Sequence, residues 1–377
     1  MSVNNEYSNL VRLGDYIELC DERNSDGLYT LDNVRGISIL KKFIQTKADM
    51  QDVSLAPYKL IKPREFSYVT VTSRNGGKIS LAINDSDETY LVSSSYLVFK
   101  SKNTEDLLPE YLYIMLSREE FDRLSRFNSW GSARETFDWS EFCRIQIPLP
   151  DIDIQQELVD TYNGLKALAE QNEALIKPLT EACQAYIVDC KKKYPEVQLG
   201  EYIEVSDVKN VDSQDLPFCG INKDKNFMPT VANTNELDNS KYKIVRKDVF
   251  VFSGMQTGRD VCIRIALYDK DDTILVSPAY TTFVVKDRLK ILPQYLFIQF
   301  NRFQMDRYGW FLSDGSIRSN LDWSEFCRIQ IPLPPPDVQQ AIVDIYNCAV
   351  EAKYIANEAR EKMKTLCPAL VQRAING

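Results

Sequence analysis

The chain has no histidine among its 377 residues. That absence removes Ser-His-Asp triads, Cys-His dyads and every histidine-ligated metal centre in one step. Its nine cysteines form no CxxC pair, and an odd number cannot all pair within one chain, so reduced thiols in a cytoplasmic setting are expected and a zinc site is not. No stretch nears the roughly 20 consecutive apolar residues that span a bilayer, which leaves no membrane partner to expect. The opening MSVNNEYSNLVRLGD has no apolar core between a basic start and a small-residue cleavage site, so no secretory signal is expected. An excess of basic charge is missing too. The net charge of -9 and pI near 5.0 weigh against a general polyanion binder, although residues 198–334 are nearly neutral and both large segments hold enough Lys and Arg for a local basic face.

Catalytic signatures are also wanting. There is neither a Gly-rich cofactor loop nor an (Asn/Asp)-Pro-Pro-aromatic motif, and Leu333-Pro334-Pro335-Pro336-Asp337 reads as a proline-rich hinge. A metal-dependent nuclease pattern can be forced from Pro150-Asp151 with Asp189-Cys190-Lys191, but its halves fall at opposite ends of a predicted helix and the second half has no counterpart later in the chain. No catalytic residue, metal or cofactor is expected.

What the chain does have is a repeat. DWSEFCRIQIPLP stands at Asp138–Pro150 and, unchanged, at Asp322–Pro334. Chance does not produce such a match in a chain this short. A shift of 184 residues aligns more: Leu108-Pro109-Glu110-Tyr111-Leu112 meets Leu292-Pro293-Gln294-Tyr295-Leu296, and Gln155-Gln156 meets Gln339-Gln340. Near the front, Leu13-Gly14-Asp15-Tyr16 meets Leu199-Gly200-Glu201-Tyr202 at a slightly different offset. The unit is a variable block followed by a helical block, with boundaries at 1–150, 151–197, 198–334 and 335–377.

Phe66–Val71, Tyr90–Phe99, Val249–Phe252 and Thr282–Val285 are rich in β-branched and aromatic residues and read as short strands. A helix should follow each Leu-Pro-x-Tyr-Leu, because proline suits the first helical turn. Asp138 with Glu141, and Asp322 with Glu325, read as capped helix starts. Ile145, Ile147 and Leu149 then alternate like an edge strand. In the helical blocks a heptad seam runs through Tyr162, Leu165, Ala169, Asn172, Ile176, Leu179, Cys183 and Tyr186, and again through Ile342, Tyr346, Ala349, Lys353, Ala356, Arg360, Met363, Cys367 and Leu370. Pro178 should kink or interrupt the first helix. Lone amphipathic helices are poorly stable in water, so the two should bury their seams against each other. The expected fold is α+β, with two tandem domains of mixed α/β structure joined by two long antiparallel helices in a pseudo-two-fold repeat. In the alternative, each helix packs on its own block.

A block ending in Ile-Pro-Leu-Pro, then Gln-Gln-x-x-Val-x-x-Tyr and a long helix, written twice over essentially the whole chain, resembles the specificity subunit of type I restriction-modification systems. The resemblance implies that each variable block is a target recognition domain and each helical block a spacer. It implies a non-catalytic subunit that reads a split site on double-stranded DNA and holds two methyltransferase subunits, which endonuclease subunits join in the restriction enzyme. Two identical partners need two identical docking surfaces, which a near-exact internal repeat supplies. Partner contacts are expected from Trp139, Phe142, Gln155 and Gln156 and from Trp323, Phe326, Gln339 and Gln340. The competing reading of the identity is a recent duplication whose core packing has not drifted.

Base reading needs Arg, Lys, Asn, Gln or Ser on loops that reach a groove. Two loops per block qualify. The first offers Arg74, Asn75 and Lys78, matched by Gln256, Thr257 and Arg259; the second offers Ser132 and Arg134, matched by Ser316 and Arg318. A reading from a different class is a tandem-repeat protein adaptor that never touches DNA, which the acidic net charge favours and the divergent loops oppose.

Overall fold

The computed structural model describes residues 10–376 apart from 47, 73–76, 132–133, 231–236, 256 and 318, with side chains of the last helix described to residue 366. The chain forms two compact units, Met1–Glu170 with Ile355–Gly377, and Gln171–Tyr354. Both boundaries fall inside long helices, α4 (Ile152–Lys193) and α9 (Pro336–Asn376). Each unit thus owns one variable block, the N-terminal half of one long helix and the C-terminal half of the other.

In the first unit, strands Ile17–Cys20, Leu97–Ser101, Phe66–Tyr68 and Leu81–Ile83 form an antiparallel sheet in that order. Beside it stand the hairpin Arg35–Ile37 with Phe43–Gln45, and the pair Lys59–Ile61 with Tyr90–Val92. The stretch Tyr90–Phe99 is therefore two strands in two sheets, broken by the turn at Ser93–Tyr96, where Tyr96 N donates to Ser93 O at 2.9 Å. Helices α1 (Pro109–Leu116), α2 (Glu119–Phe127) and α3 (Trp139–Arg144) follow, with Pro109 in the first turn of α1.

The second unit repeats this plan. Strands Ile203–Val205, Thr281–Val285, Phe250–Ser253 and Arg264–Leu267 form the matching sheet. Here the hairpin Phe218–Ile221 with Phe227–Pro229 joins Ile274–Val276 and Lys243–Val245 in one four-stranded sheet, through a parallel pairing of Phe218 with Leu275. Its helices are α5 (Thr257–Asp260), α6 (Pro293–Phe300), α7 (Phe303–Leu312) and α8 (Trp323–Cys327).

The aromatic residues of the thirteen-residue identity serve the same structural purpose in each unit. Phe142 and Phe326 are fully buried and stack with Trp139 and Trp323 at ring-centroid distances of 5.6 and 5.2 Å. They plug aromatic cores built on stacked pairs, Phe66 with Phe99 at 4.9 Å and Phe250 with Phe283 at 4.7 Å. Burying each such ring stabilises its unit by roughly 2–3 kcal/mol. Among the described residues the strand Gln146–Pro148 pairs only with Leu10–Arg12, and Gln330–Pro332 only with Glu196–Gln198, as an edge strand ending in proline should. Pro148 O accepts from Tyr111 Oη and Pro332 O from Tyr295 Oη, each at 2.8 Å.

The long helices depart from the heptad reading in detail. Pro178 lies inside α4 without interrupting it. Tyr186 is 53% exposed, and Ile187, one residue on, is fully buried with Cys183 and Cys190 as neighbours in the core. A straight helix turns every 3.6 residues, so a strict seven-residue seam drifts off the buried face. In α9 the buried face is an alanine stripe, Ala349, Ala352, Ala356 and Ala359, while Lys353 is exposed and Arg360 half-buried. Among the described residues no helix is long and apolar enough to cross a membrane.

Candidate nucleic-acid interface and partner surface

Described residues in or beside the two candidate loops of each block meet. In the first unit Thr72, just before the first loop, donates from its amide to Glu135 O at 3.0 Å and from its hydroxyl to Ser129 Oγ at 2.9 Å. Gly131, at φ +143°, lets the second loop fold back where a Cβ would stand 2.2 Å from Arg134 O. In the second unit Gly258 N donates to Ser319 O at 2.9 Å, and Leu321 N to Gly254 O at 2.9 Å, the counterpart of Phe137 N to Thr70 O at 2.8 Å. Asp314 Oδ1 gathers Ser316 N, Ser316 Oγ and Asn320 N, which shapes that loop.

Of the sequence-selected residues here, Arg74, Asn75, Ser132, Gln256 and Arg318 lie outside the described residues. Lys78, Arg134, Arg259 and Ser316 are exposed on the converged loops. Thr257 is not: it is fully buried and its hydroxyl donates to Gly254 O at 2.9 Å, so it builds α5 rather than facing solvent. The loop at 257–260 is itself a short helix. Apolar side chains that sequence reasoning did not single out stand exposed at the same place, Phe127 (76%) and Trp130 in one unit and Phe311 (77%), Trp310 and Ile317 in the other. Phe127 and Phe311 share one repeat position at a helix end, a signal available once α2 and α7 are aligned.

A buried ion pair stands beside each loop cluster. Lys41 Nζ lies 2.8 Å from Asp122 Oδ1, and Lys225 Nζ lies 2.8 Å from Asp306 Oδ2. The same carboxylates accept from Ile79 N and Ile263 N at 3.1 and 2.9 Å. Each lysine stands at a hairpin turn with φ near +60°, and burial pushes the Lys41 ammonium below its usual range while the Asp122 carboxylate opposes that shift. The pair ties hairpin, sheet edge and helix together in both units, and sequence reading missed it.

The expected partner residues divide by burial. Phe142, Phe326, Gln155 and Gln339 have no exposed surface to offer. Gln155 Nε2 donates to Asp106 O and Pro150 O at 2.8 and 2.9 Å while its Oε1 accepts from Leu108 N at 3.0 Å, and Gln339 makes the same three bonds to Lys290, Pro334 and Leu292. These four hold each unit's own fold. Trp139 and Trp323 are half-buried, whereas Gln156 and Gln340 are exposed, each donating to an aspartate one turn on. Within the identical segment Ser140, Arg144 and Gln146 are exposed, as are Ser324, Arg328 and Gln330. Packing does not require these identities. Among the described residues no cluster of His, Cys, Asp or Glu could hold a metal ion.

A family model described as "Type I restriction modification DNA specificity domain" matches residues 10–181 and again 192–353. The chain belongs to that family. The type I specificity fold extends to a solved S subunit from M. genitalium, 12% identical at a TM-score of 0.57, covering 100% of this chain and 97% of that one. An HsdS subunit from Thermoanaerobacter tengcongensis is 17% identical at a TM-score of 0.39, covering 98% and 96%. A chain from a structure titled for complex assembly and conformational transition of the type I R-M system is 15% identical at a TM-score of 0.36, covering 98% and 97%. No curated protein sequence matches the chain. Two tandem specificity domains of mixed helices and sheets, a long central helix and a long C-terminal helix are what this type I specificity subunit shares with its family.

Proposed function

We propose that this specificity subunit is non-catalytic, works in the cytoplasm, and selects a two-part target on double-stranded DNA, one half per variable block (1–150 and 198–334), with the helical blocks 151–197 and 335–377 as spacers. Two methyltransferase subunits dock on the repeated surface, and endonuclease subunits join through them. The observation that supports this most is that, in each unit, described residues in or beside two divergent loops meet near the same buried ion pair. Two unlike surfaces on one plan suit two unlike half-sites. Lys78 and Arg134, and Arg259 and Ser316, are the described candidates for DNA contact; Arg74, Asn75, Ser132, Gln256 and Arg318 complete the set. For the partner, exposed identity is the better guide: Ser140, Arg144, Gln146 and Gln156 with Ser324, Arg328, Gln330 and Gln340, flanked by Trp139 and Trp323.

A mobility-shift titration with the methyltransferase subunit present tests this. Sequence-selective binding that needs the methyltransferase supports the proposal. Partner binding with no DNA shift would favour a protein adaptor, the reading that the net charge of -9 favours.

A further inference from the structure

Beside the converged loops of the second unit, one carboxylate gathers three cations. Asp260 Oδ1 lies 3.4 Å from Lys223 Nζ and 3.3 Å from Arg259 Nε, and Asp260 Oδ2 lies 2.5 Å from Arg264 Nη2. The Asp260 side chain is only 5% exposed, while Lys223 and Arg259 keep 61% and 62% of theirs in solvent. Arg264 Nε is buried without a hydrogen-bond partner among the described residues. Burial alone would raise the Asp260 carboxyl, but the Arg264 and Arg259 hydrogen bonds and the nearby Lys223 charge override it and hold it below the ordinary carboxylate range. Three like charges repel; a central anion lets them share one patch and keeps the outer two pointed at solvent. Asp224, exposed on the same hairpin tip as Lys223, removes part of the excess, so the patch is positive but small.

The backbone is strained where this patch is built. Val261, next to Asp260, has φ +48°, and Ser319, which accepts from Gly258 N, has φ +46°. A β-branched residue in the left-handed region costs about 1–2 kcal/mol and persists only where its surroundings hold it. The first block does not carry these charges. The repeat positions of Lys223, Arg259, Asp260 and Arg264 are Ile39, Asn75, Gly76 and Ser80.

We propose that Lys223 and Arg259 form a phosphate clamp on the DNA backbone, unique to the second unit, with Asp260 as its positioning residue. This rests on the DNA-reading function proposed above. Phosphate contacts fix register without reading bases, so the clamp would seat the second block over its half-site.

The test uses the full chain with its methyltransferase subunits and a duplex carrying the motif that the wild-type complex methylates, with affinity measured against salt. Removing one cation that neutralises a phosphate lowers the salt slope by about one. Lys223→Ala and Arg259→Ala, both on exposed side chains, should each reduce the slope by about one. Asp260→Asn decides the positioning role, because charge counting alone predicts tighter binding when an anion near DNA is removed. The clamp predicts weaker binding with a lower slope, and recovery in Asp260→Glu. Unchanged slopes in Lys223→Ala and Arg259→Ala, or tighter binding by Asp260→Asn, would overturn it. A wild-type complex that binds no duplex would instead defeat the DNA-reading function itself.

Discussion

Lys41 and Asp122, 81 residues apart, form an ion pair at 2.8 Å with side chains only 6% and 9% exposed, and Lys225 with Asp306 repeats it at the same distance. Neither half of such a pair can be removed cheaply, because the other is left as an uncompensated buried charge. Lys41→Met should lower the stability of the first unit by about 3–5 kcal/mol. Lys41→Met with Asp122→Leu should cost less than the single change, since no lone charge remains. Denaturant titration of the three proteins checks this; a double variant weaker than the single one would contradict it.

Little of that pair was legible beforehand. Lys41 and Lys225 share a repeat position, as do Ile37 with Ile221 and Phe43 with Phe227, but the hairpin residues between them differ and nothing local marks the aspartate that meets each lysine. The repeat, the mixed blocks, the proline-started helices α1 and α6 and the edge strands were legible, because each follows from local chemistry. The seam of α4 was legible only to Cys183, beyond which the drift of a 3.6-residue helix exposes Tyr186 and buries Ile187. Identity between copies misled in one respect. It marks both what packs inside and what faces a common partner, and only burial separates Phe142 and Gln155 from Arg144 and Gln156.

Gly14 explains why Leu-Gly-Asp and Leu-Gly-Glu open the two units. A Cβ there would stand 2.7 Å from Cys143 Cβ, and at Gly200 it would stand 3.0 Å from Cys327 Cβ. Overpacking of this kind typically costs about 1–3 kcal/mol. Thermal unfolding should place Gly14→Ala below wild type, and further below it than Gly200→Ala. Equal and unaltered melting of both variants would exclude the close approach.

Asp138 and Asp322 head identical segments but are used differently. Asp138 Oδ1 accepts from Ser140 Oγ at 2.7 Å and from Glu141 N at 2.9 Å, bonds that hold its carboxyl below the usual range. Asp322 makes no side-chain cap bond and accepts instead from Asn320 Nδ2 at 3.0 Å. Asp138→Ala should cost about 1 kcal/mol at neutral pH, and Asp322→Ala less. A lowered folded pKa gives stability that is present above the unfolded aspartate range and is lost as pH falls through the folded pKa. The deficit of Asp138→Ala should therefore shrink on acidification below about pH 4. A deficit constant with pH would mean the carboxylate charge contributes nothing.

The central claim is that two unlike loop clusters on one repeated plan choose the bases of a split site. Sequencing the methylated bases of a host that carries this chain with its methyltransferase tests it most directly. One motif in two specified parts separated by unspecified bases is predicted, with one part changing when residues 198–334 are exchanged for those of another specificity subunit. A single continuous motif, or a motif indifferent to that exchange, would contradict it.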